Sequence, residues 1–233
     1  RQMCIRDSTW TQRTPTGPAP SARSYAQMSY DVARGVCVMF GGFTSTGSFP
    51  ARSNETWEWD GNAWTRPVVT GPSSRAQHSM CYDPGAGGVV LFGGSLPSPL
   101  PFNMVSNDET WVWNGTAWTQ HVFTGFRSRE RHSVAYDSAR NVAVLFGGSL
   151  NGSGSEADAT DELWEWQGDN WIRRNVPGPS ARRDHNMVFD AARGVTVLFG
   201  GVANNAPNGE TWEFAATQDL TINKDAWILH YGC

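Results

Sequence analysis

The sequence predicts an all-β fold in which four-stranded antiparallel units repeat around an axis as the blades of a β-propeller. Three observations support this prediction: a repeat of about 54 residues, a Gly-Gly pair after an apolar run in each repeat, and the composition. Aromatic residues make up 12% of the 233 residues, and the chain contains 25 glycines and 13 prolines. Such a composition is typical of a globular chain with many turns, and a fixed period near 50 residues is typical of a repeat array.

The clearest repeat is a tryptophan-rich segment. Its three full copies are NETWEWDGNAW, DETWVWNGTAW and DELWEWQGDNW, which end at Trp64, Trp118 and Trp171, and a shorter copy, GETWEF, starts at Gly209. Counted from Trp10, the successive spacings of these tryptophans are 54, 54 and 53 residues. A pattern this regular indicates one structural unit per period.

Other residues follow the same period. An apolar run ends in a glycine pair in every repeat, as in VCVMFGG and VTVLFGG. An aspartate preceded by an aromatic residue stands ten residues before each first glycine. The glycine pairs are Gly41-Gly42, Gly93-Gly94, Gly147-Gly148 and Gly200-Gly201. They predict a close backbone approach or a positive φ at the end of a strand.

Each repeat is predicted to form four short strands. The first alternates apolar and polar residues, as in HSMCYD. The second is the apolar run before the glycine pair, the third contains ETWVW, and the fourth contains AWTQH. Asp60-Gly61 and Asn114-Gly115 indicate a two-residue hairpin turn with positive φ at both central residues. Four antiparallel strands repeated radially form a propeller blade.

We therefore expect a β-propeller over residues 9–217. Its repeat units are about 10–63, 64–117, 118–170 and 171–217. The strands fill four blades if Trp10–Arg13 forms a fourth strand that completes the last one. Both a partial arc of blades and a small closed ring are compatible with this count.

The two ends of the chain differ from the repeats. Residues 1–8 include MCIRD, which resembles a translated sequencing adapter, and we expect either such an artefact or a disordered tail. Residues 218–233 contain the only lysine of the chain and form a divergent C-terminal tail. Both ends favour a fragment of a longer protein.

The arginine, the Gly-Gly strand and the later tryptophan together resemble the kelch repeat. The FGG…ETWEWDG form is similar to that of bacterial, often exported, kelch proteins, and it covers the chain from about Trp10 to Phe214. The resemblance implies a propeller, usually with more than four blades, which favours a partial arc. It also implies an extracellular or periplasmic location. It does not select a function, because one fold supports many activities.

An arginine and a glutamate recur in every repeat and predict buried ion pairs beside apolar strands. Removing one partner of a buried pair costs roughly 3–5 kcal/mol. The alternative is an arginine ring that faces an anionic ligand. The arginines are Arg23, Arg75, Arg129 and Arg182, and the glutamates are Glu55, Glu109, Glu162 and Glu210.

Histidines and tryptophans are also interpreted as structural. His78, His132 and His185 stand three residues after an arginine. Because they lie in different blades, we expect them to be hydrogen-bonded at the strand start and not to share a metal. We expect Trp57 and Trp59 to pack one against each neighbouring blade.

The long connections of every blade are predicted to emerge on one side of the propeller, which is where ligands usually bind. Candidate binding residues are apolar side chains of one Pro-rich loop together with residues of a nearby linker. They are Leu100, Phe102, Met104, Phe126, Arg127 and Arg131. The alternative for Phe102 and Phe126 is that they cap the blade edges.

We interpret the chain as a non-catalytic binding module for a protein or a glycan. The alternative is a propeller enzyme that resembles galactose oxidase or a sialate epimerase. The sequence contains no recognisable catalytic, metal-ligating or cofactor-binding set, so we expect no cofactor. The net charge of −4, without a basic run, argues against nucleic acid. No apolar run reaches the ~18 residues of a membrane span.

Overall fold

A computed structural model of the chain describes residues 10–45, 50–97, 105–150 and 158–215. These residues form an all-β propeller of four antiparallel sheets, here called blades 1 to 4. Blade 1 contains β1 (Gln27–Asp31), β2 (Val36–Phe40), β3 (Thr56–Trp59) and β4 (Trp64–Thr65). Blade 2 contains β5 (Ser79–Asp83), β6 (Gly88–Phe92), β9 (Thr110–Trp113) and β10 (Trp118–His121). Blade 3 contains β11 (Ser133–Asp137), β12 (Val142–Phe146), β13 (Leu163–Trp166) and β14 (Trp171–Arg174).

Blade 4 has three strands: β15 (Asn186–Asp190), β16 (Val195–Phe199) and β19 (Thr211–Phe214). The prediction that Trp10–Arg13 supplies its fourth strand is wrong. Residues 10–13 form no strand, and the Trp10 side chain is fully exposed. The tryptophans at this position in blades 2 and 3 are held by a neighbouring blade, whereas Trp10 has no such support.

The connections differ from the prediction in two places. The turn between β3 and β4 is longer than predicted, running from Asp60 to Ala63, and only Gly61 has a positive φ. The Asp60 carboxylate accepts the amide protons of Asn62 and Ala63 within this turn. Two of the predicted loops contain short hairpins. Their strands are β7 (Ser95–Leu96) with β8 (Val105–Ser106), and β17 (Val202–Ala203) with β18 (Ala206–Pro207).

The first strand of each blade lies nearest the axis. β1 packs against β5, β5 against β11, and β11 against β15. No comparable contact joins β15 to β1 within the described residues, so the four blades form an open arc. No helix in this part of the chain has the length and apolar character needed to cross a bilayer.

The core lies between blades and not within them. One apolar cluster joins each pair of neighbours: blades 1 and 2, blades 2 and 3, and blades 3 and 4. Trp164 and Trp166 both belong to the cluster with blade 2. The expectation that the two tryptophans of one strand face different neighbours is therefore wrong, since residues two apart on a strand share a face.

The glycine pairs bring neighbouring blades together. Each first glycine has positive φ, and a Cβ on Gly147 would lie 2.6 Å from the Arg182 carbonyl oxygen of the next blade. The second glycine donates its amide proton to the same arginine carbonyl, at 2.9 Å in all three interfaces. Both expected reasons for glycine, close approach and positive φ, therefore apply.

This geometry predicts different effects for two equivalent alanine substitutions. Gly147→Ala adds a methyl group against the backbone of the next blade. No blade follows Gly200 within the described residues, and a Cβ there would have the Asn208 carbonyl oxygen as its nearest atom, at 3.3 Å. Both variants carry the cost of positive φ, about 1 kcal/mol. We expect Gly147→Ala to lose roughly 1–3 kcal/mol more, as overpacked sites do. Urea unfolding measures the difference, and equal losses would contradict the close approach.

Candidate functional site

The recurring arginines lie inside the blades. Arg75, Arg129 and Arg182 are fully buried, and Arg23 is nearly so. The Nη2 group of each donates to a glutamate of its own blade, at 2.5–2.8 Å for Arg23–Glu55, Arg129–Glu162 and Arg182–Glu210, and Arg75 donates to Glu109 in the same way.

The other donors of these arginines are also used within the blade. Nη1 donates to the carbonyl of the first glycine of each pair at 3.0–3.1 Å, and Nε donates to a carbonyl two residues earlier. The glutamate in turn accepts from the indole two residues further on, as Glu162 does from Trp164 at 3.1 Å. The guanidinium groups are therefore turned into the blades, and they do not form the ligand-facing ring of the alternative interpretation.

The repeated histidines are buried at the blade interfaces. The rings of His78, His132 and His185 contact a phenylalanine of the preceding blade edge-on, at centroid distances of 5.2–5.7 Å. No ring nitrogen makes a hydrogen bond of normal geometry within the described residues, although His132 and His185 lie close to the backbone of Phe92 and Phe146. Burial, reinforced by the nearby arginine, lowers the pKa of His78 to about 3 and that of His185 to about 4. In the described part of the chain, no three His, Cys, Asp or Glu side chains are grouped to hold a metal.

The predicted loop residues are only partly brought together. Leu100, Phe102 and Met104 lie outside the described residues. Phe126 is buried and packs on Phe92, Trp164 and Trp171, which is the capping role left open by the sequence. The buried Phe126 ring is therefore inaccessible to a ligand. Arg127 has a side chain that is 59% exposed, and Arg131 lies elsewhere, at the axis.

A cavity of about 340 Å³ lies on the axis where the four inner strands begin. Strands β1, β5, β11 and β15 start on the side that receives the linkers between blades, so the cavity opens among the long connections, on what we call the loop face. Its polar lining includes Tyr25, Gln77, Arg131 and Asp184, together with Gln27 and Asn186 at the starts of β1 and β15.

Tyr25, Gln77, Arg131 and Asp184 form what we call the axial ring. Each stands two residues after the repeated arginine, and each has a positive φ of 54–61°. Such φ values are uncommon for residues other than glycine. Backbone hydrogen bonds hold the ring: Gln77 donates to Tyr25, Arg131 to Gln77, and Asp184 to Arg131, at 2.8–3.2 Å. Four blades thus fix four different side chains at one position around the cavity.

A side-chain network follows the axial ring. With its amide oriented to satisfy both neighbours, Gln77 donates to Ser95 Oγ at 3.0 Å and accepts from Arg131 Nε at 3.0 Å. Asp184 Oδ2 lies 3.5 Å from Arg131 Nη1 and accepts from Arg183 Nη1 at 2.8 Å. The side chains are therefore positioned before any ligand arrives.

Glu130 lies behind the ring without a hydrogen bond. The side chain is fully buried, neither carboxylate oxygen has a hydrogen-bond partner in the described residues, and Arg131 Nε is 3.6 Å from Oε1. Burial raises the pKa of Glu130, against the attraction of Arg131 and Arg52. Among the residues that line the cavity, Arg131 and Asp184 carry opposite charges, and Glu130 lies directly behind Arg131.

The axial ring was not predicted, except that Arg131 was chosen for a different reason. The sequence does contain a sign of this site, because the residue two positions after the repeated arginine differs in every repeat. It is Tyr, Gln, Arg and Asp in turn, in RSY, RAQ, RER and RRD. Positions that differ within an otherwise regular repeat are where a symmetric scaffold acquires a specific site.

The repeat and the sheets define a kelch-like β-propeller. Among solved structures, that of YjhT is similar, with a TM-score of 0.67 and 16% sequence identity. The similarity covers 86% of this chain and 65% of YjhT, so the chain spans slightly less than two thirds of that protein. No protein-family model matches the chain. At this identity the similarity establishes the fold alone.

Proposed function

We propose that this chain is a non-catalytic binding module that takes a glycan in the axial cavity of the loop face. The observation that carries the proposal is the axial ring, where the repeat loses its symmetry and presents Tyr, Gln, Arg and Asp at one position. Residues that recur in every blade are used for architecture. Residues that differ between blades and point to a cavity are free to specify a ligand.

The cavity suits a polar ligand of sugar size. Its volume of about 340 Å³ falls at the lower end of the ~300–1,000 Å³ range of small-molecule sites. Gln27, Gln77 and Asn186 offer amide donors and acceptors for hydroxyl groups. The half-exposed ring of Tyr25 adds an apolar surface with a polar tip.

The guanidinium group of Arg131 favours an acidic sugar. Arg131 lines the cavity, and its neighbour Asp184 is already paired with Arg183 at 2.8 Å. An arginine fork binds a carboxylate through two parallel hydrogen bonds. We therefore propose a carboxylate-bearing glycan as the ligand class.

Recognition of a protein through Leu100, Phe102 and Met104 remains a separate prediction, because these residues lie outside the described part of the chain. An enzymatic role of the kind suggested by galactose oxidase or sialate epimerases is the other candidate class. The binding experiment below includes a readout for turnover, so it distinguishes catalysis from binding alone.

Arg131→Gln is expected to weaken binding of N-acetylneuraminate at least tenfold. A hydrogen bond to a charged group contributes ~1.5–3 kcal/mol, and each ~1.4 kcal/mol is a factor of ten. The measurement is titration calorimetry with N-acetylneuraminate, with neutral N-acetylglucosamine for comparison.

Arg127→Gln is the matched control. It removes the same charge from the same blade, but its side chain is exposed and outside the cavity lining, so we expect wild-type affinity. Equal losses in the two variants, or no binding by the wild-type chain, would overturn the proposal. A protein-dependent change of the sugar in its proton NMR spectrum would establish catalysis and contradict the non-catalytic role.

A further inference from the structure

Within the described residues, the two ends of the arc expose apolar surfaces whose equivalents are buried or half-buried in the internal interfaces. On blade 4, Phe199 is 57% exposed, whereas its equivalents Phe40, Phe92 and Phe146 are at most 3% exposed. On blade 1, Met28 is 49% exposed, whereas its equivalent Met80 is 7% exposed. We call the exposed side of blade 1, with Met28 and Tyr30, the leading face. The exposed side of blade 4, with Val188 and Phe199, is the trailing face.

The internal interfaces show what each face is shaped to contact. A trailing-side phenylalanine packs on the fourth-strand tryptophan of the next blade: Phe40 on Trp118 at 5.4 Å and Phe92 on Trp171 at 5.3 Å. The same tryptophan donates its indole proton to a threonine of the preceding blade, as Trp118 does to Thr56 at 2.8 Å.

Each free face contains one member of these contact pairs without the other. Trp64 is the leading-face equivalent of Trp118, and Phe199 and Thr211 are the trailing-face equivalents of Phe40 and Thr56. A polar pair matches as well: Trp113 of blade 2 donates to Glu58 of blade 1 at 2.7 Å. Trp59 and Glu213 hold the corresponding positions on the two free faces.

The backbone is complementary in the same way. Every internal interface has three hydrogen bonds, for example Gly94 N–H to Arg129 C=O, Arg129 N–H to Asn107 C=O, and Arg131 N–H to Gln77 C=O. The equivalent groups at the free faces have no partner among the described backbone hydrogen bonds. They are Gly201 N–H and the carbonyls of Asn208 and Asp184 on the trailing face, and the amides of Arg23 and Tyr25 with the Arg23 carbonyl on the leading face.

We propose that the trailing face of one chain binds the leading face of a second copy, head to tail. Apolar surface, indole donors and backbone groups then meet the partners that they have inside the arc. An interface between two different faces either closes into a ring or continues into a longer assembly. Two arcs of four blades would make eight, which is within the ~4–8 blades of known propellers. Tyr25 of the partner subunit would stand beside Asp184 and enclose the open side of the axial cavity.

Sedimentation velocity of the purified chain over a wide concentration range tests the proposal. We expect the wild-type chain to sediment as species of two or more copies. Phe199→Arg and Tyr30→Arg each place a charge on one face, and each variant alone should be monomeric. Val68→Arg, at an apolar residue that is even more exposed and lies in the linker between blades 1 and 2, should associate like the wild-type chain.

Mixing the two face variants gives a sharper result. Phe199→Arg keeps an intact leading face and Tyr30→Arg keeps an intact trailing face, so the mixture should form one-to-one dimers. Association through a single self-complementary patch would not be restored in this way. A monomeric wild-type chain at all concentrations, or a mixture that stays monomeric, would overturn the proposal.

Discussion

Replacing Glu162 with glutamine is expected to lower the free energy of unfolding by roughly 3–5 kcal/mol, as removal of one partner of a buried ion pair does. Arg129 is fully buried and donates to Glu162 at 2.5 Å, and Arg173 and Arg127 lie 3.5 and 3.8 Å from the other carboxylate oxygen. Burial alone would raise the pKa of Glu162, but the hydrogen bond from Arg129 keeps it below its usual range. Glutamine leaves three guanidinium groups close together without a counter-charge. Urea unfolding at neutral pH, followed by tryptophan fluorescence, measures the loss.

Glu210→Gln is the matched control for this prediction. Glu210 has the same role in blade 4, but half of its side chain is exposed, so water replaces much of the lost interaction. We expect a smaller loss than for Glu162→Gln. The double replacement Arg129→Met with Glu162→Leu should also lose less than Glu162→Gln, because no buried charge remains unpaired. Equal losses for Glu162→Gln and Glu210→Gln would contradict a stabilising role that depends on burial.

Acidification is expected to destabilise the fold steeply between about pH 6.5 and pH 4. The buried histidines have folded-state pKa values of about 3 for His78, about 4 for His185, and well below the usual range for His132. In the unfolded chain they bind protons near pH 6.5. The unfolded state therefore binds more protons across this window, and stability falls as the pH falls. Each neutral histidine contributes about 1.4 kcal/mol per pH unit, and the three together about 4 kcal/mol per pH unit.

His78→Ala tests the origin of this slope. The first repeat has Ala26 at the equivalent position, on the side of blade 1 that no described blade covers. We expect the dependence of unfolding free energy on pH to fall by about a third, whatever the stability at neutral pH. Glu130 and Asp83, whose pKa values are raised by burial, act in the opposite direction in the lower part of the window. An unchanged slope in His78→Ala would show that the buried histidine is not the cause.

The architecture was predictable because it repeats. The spacing of Trp10, Trp64, Trp118 and Trp171 gave the number of units, and the glycine pairs marked the ends of the second strands. The recurrence of Arg129 and Glu162 in every unit indicated a pair with a structural role. Periodic residues are constrained by the same contacts in each blade, so the pattern alone carries the information.

The rest depended on contacts that do not repeat. Trp10 has a fourth-strand sequence, yet residues 10–13 form no strand and the Trp10 side chain is fully exposed. Phe126 looked like a loop residue and is buried, since its linker crosses the aromatic cluster between blades 2 and 3. The residue types of the axial ring do not repeat from blade to blade. Only the repeated position of Tyr25, Gln77, Arg131 and Asp184 marks it.

Amide chemical-shift mapping during titration with N-acetylneuraminate shows which residues meet the ligand. If the repeated residues build the blades, only the variable axial ring should contact the sugar. We predict that the amide signals of Gln77, Arg131 and Asp184 shift with ligand, while those of the glycine pairs and of linker residues 122–128 do not. Shifts confined to the linker, with the axial ring unchanged, would contradict the account.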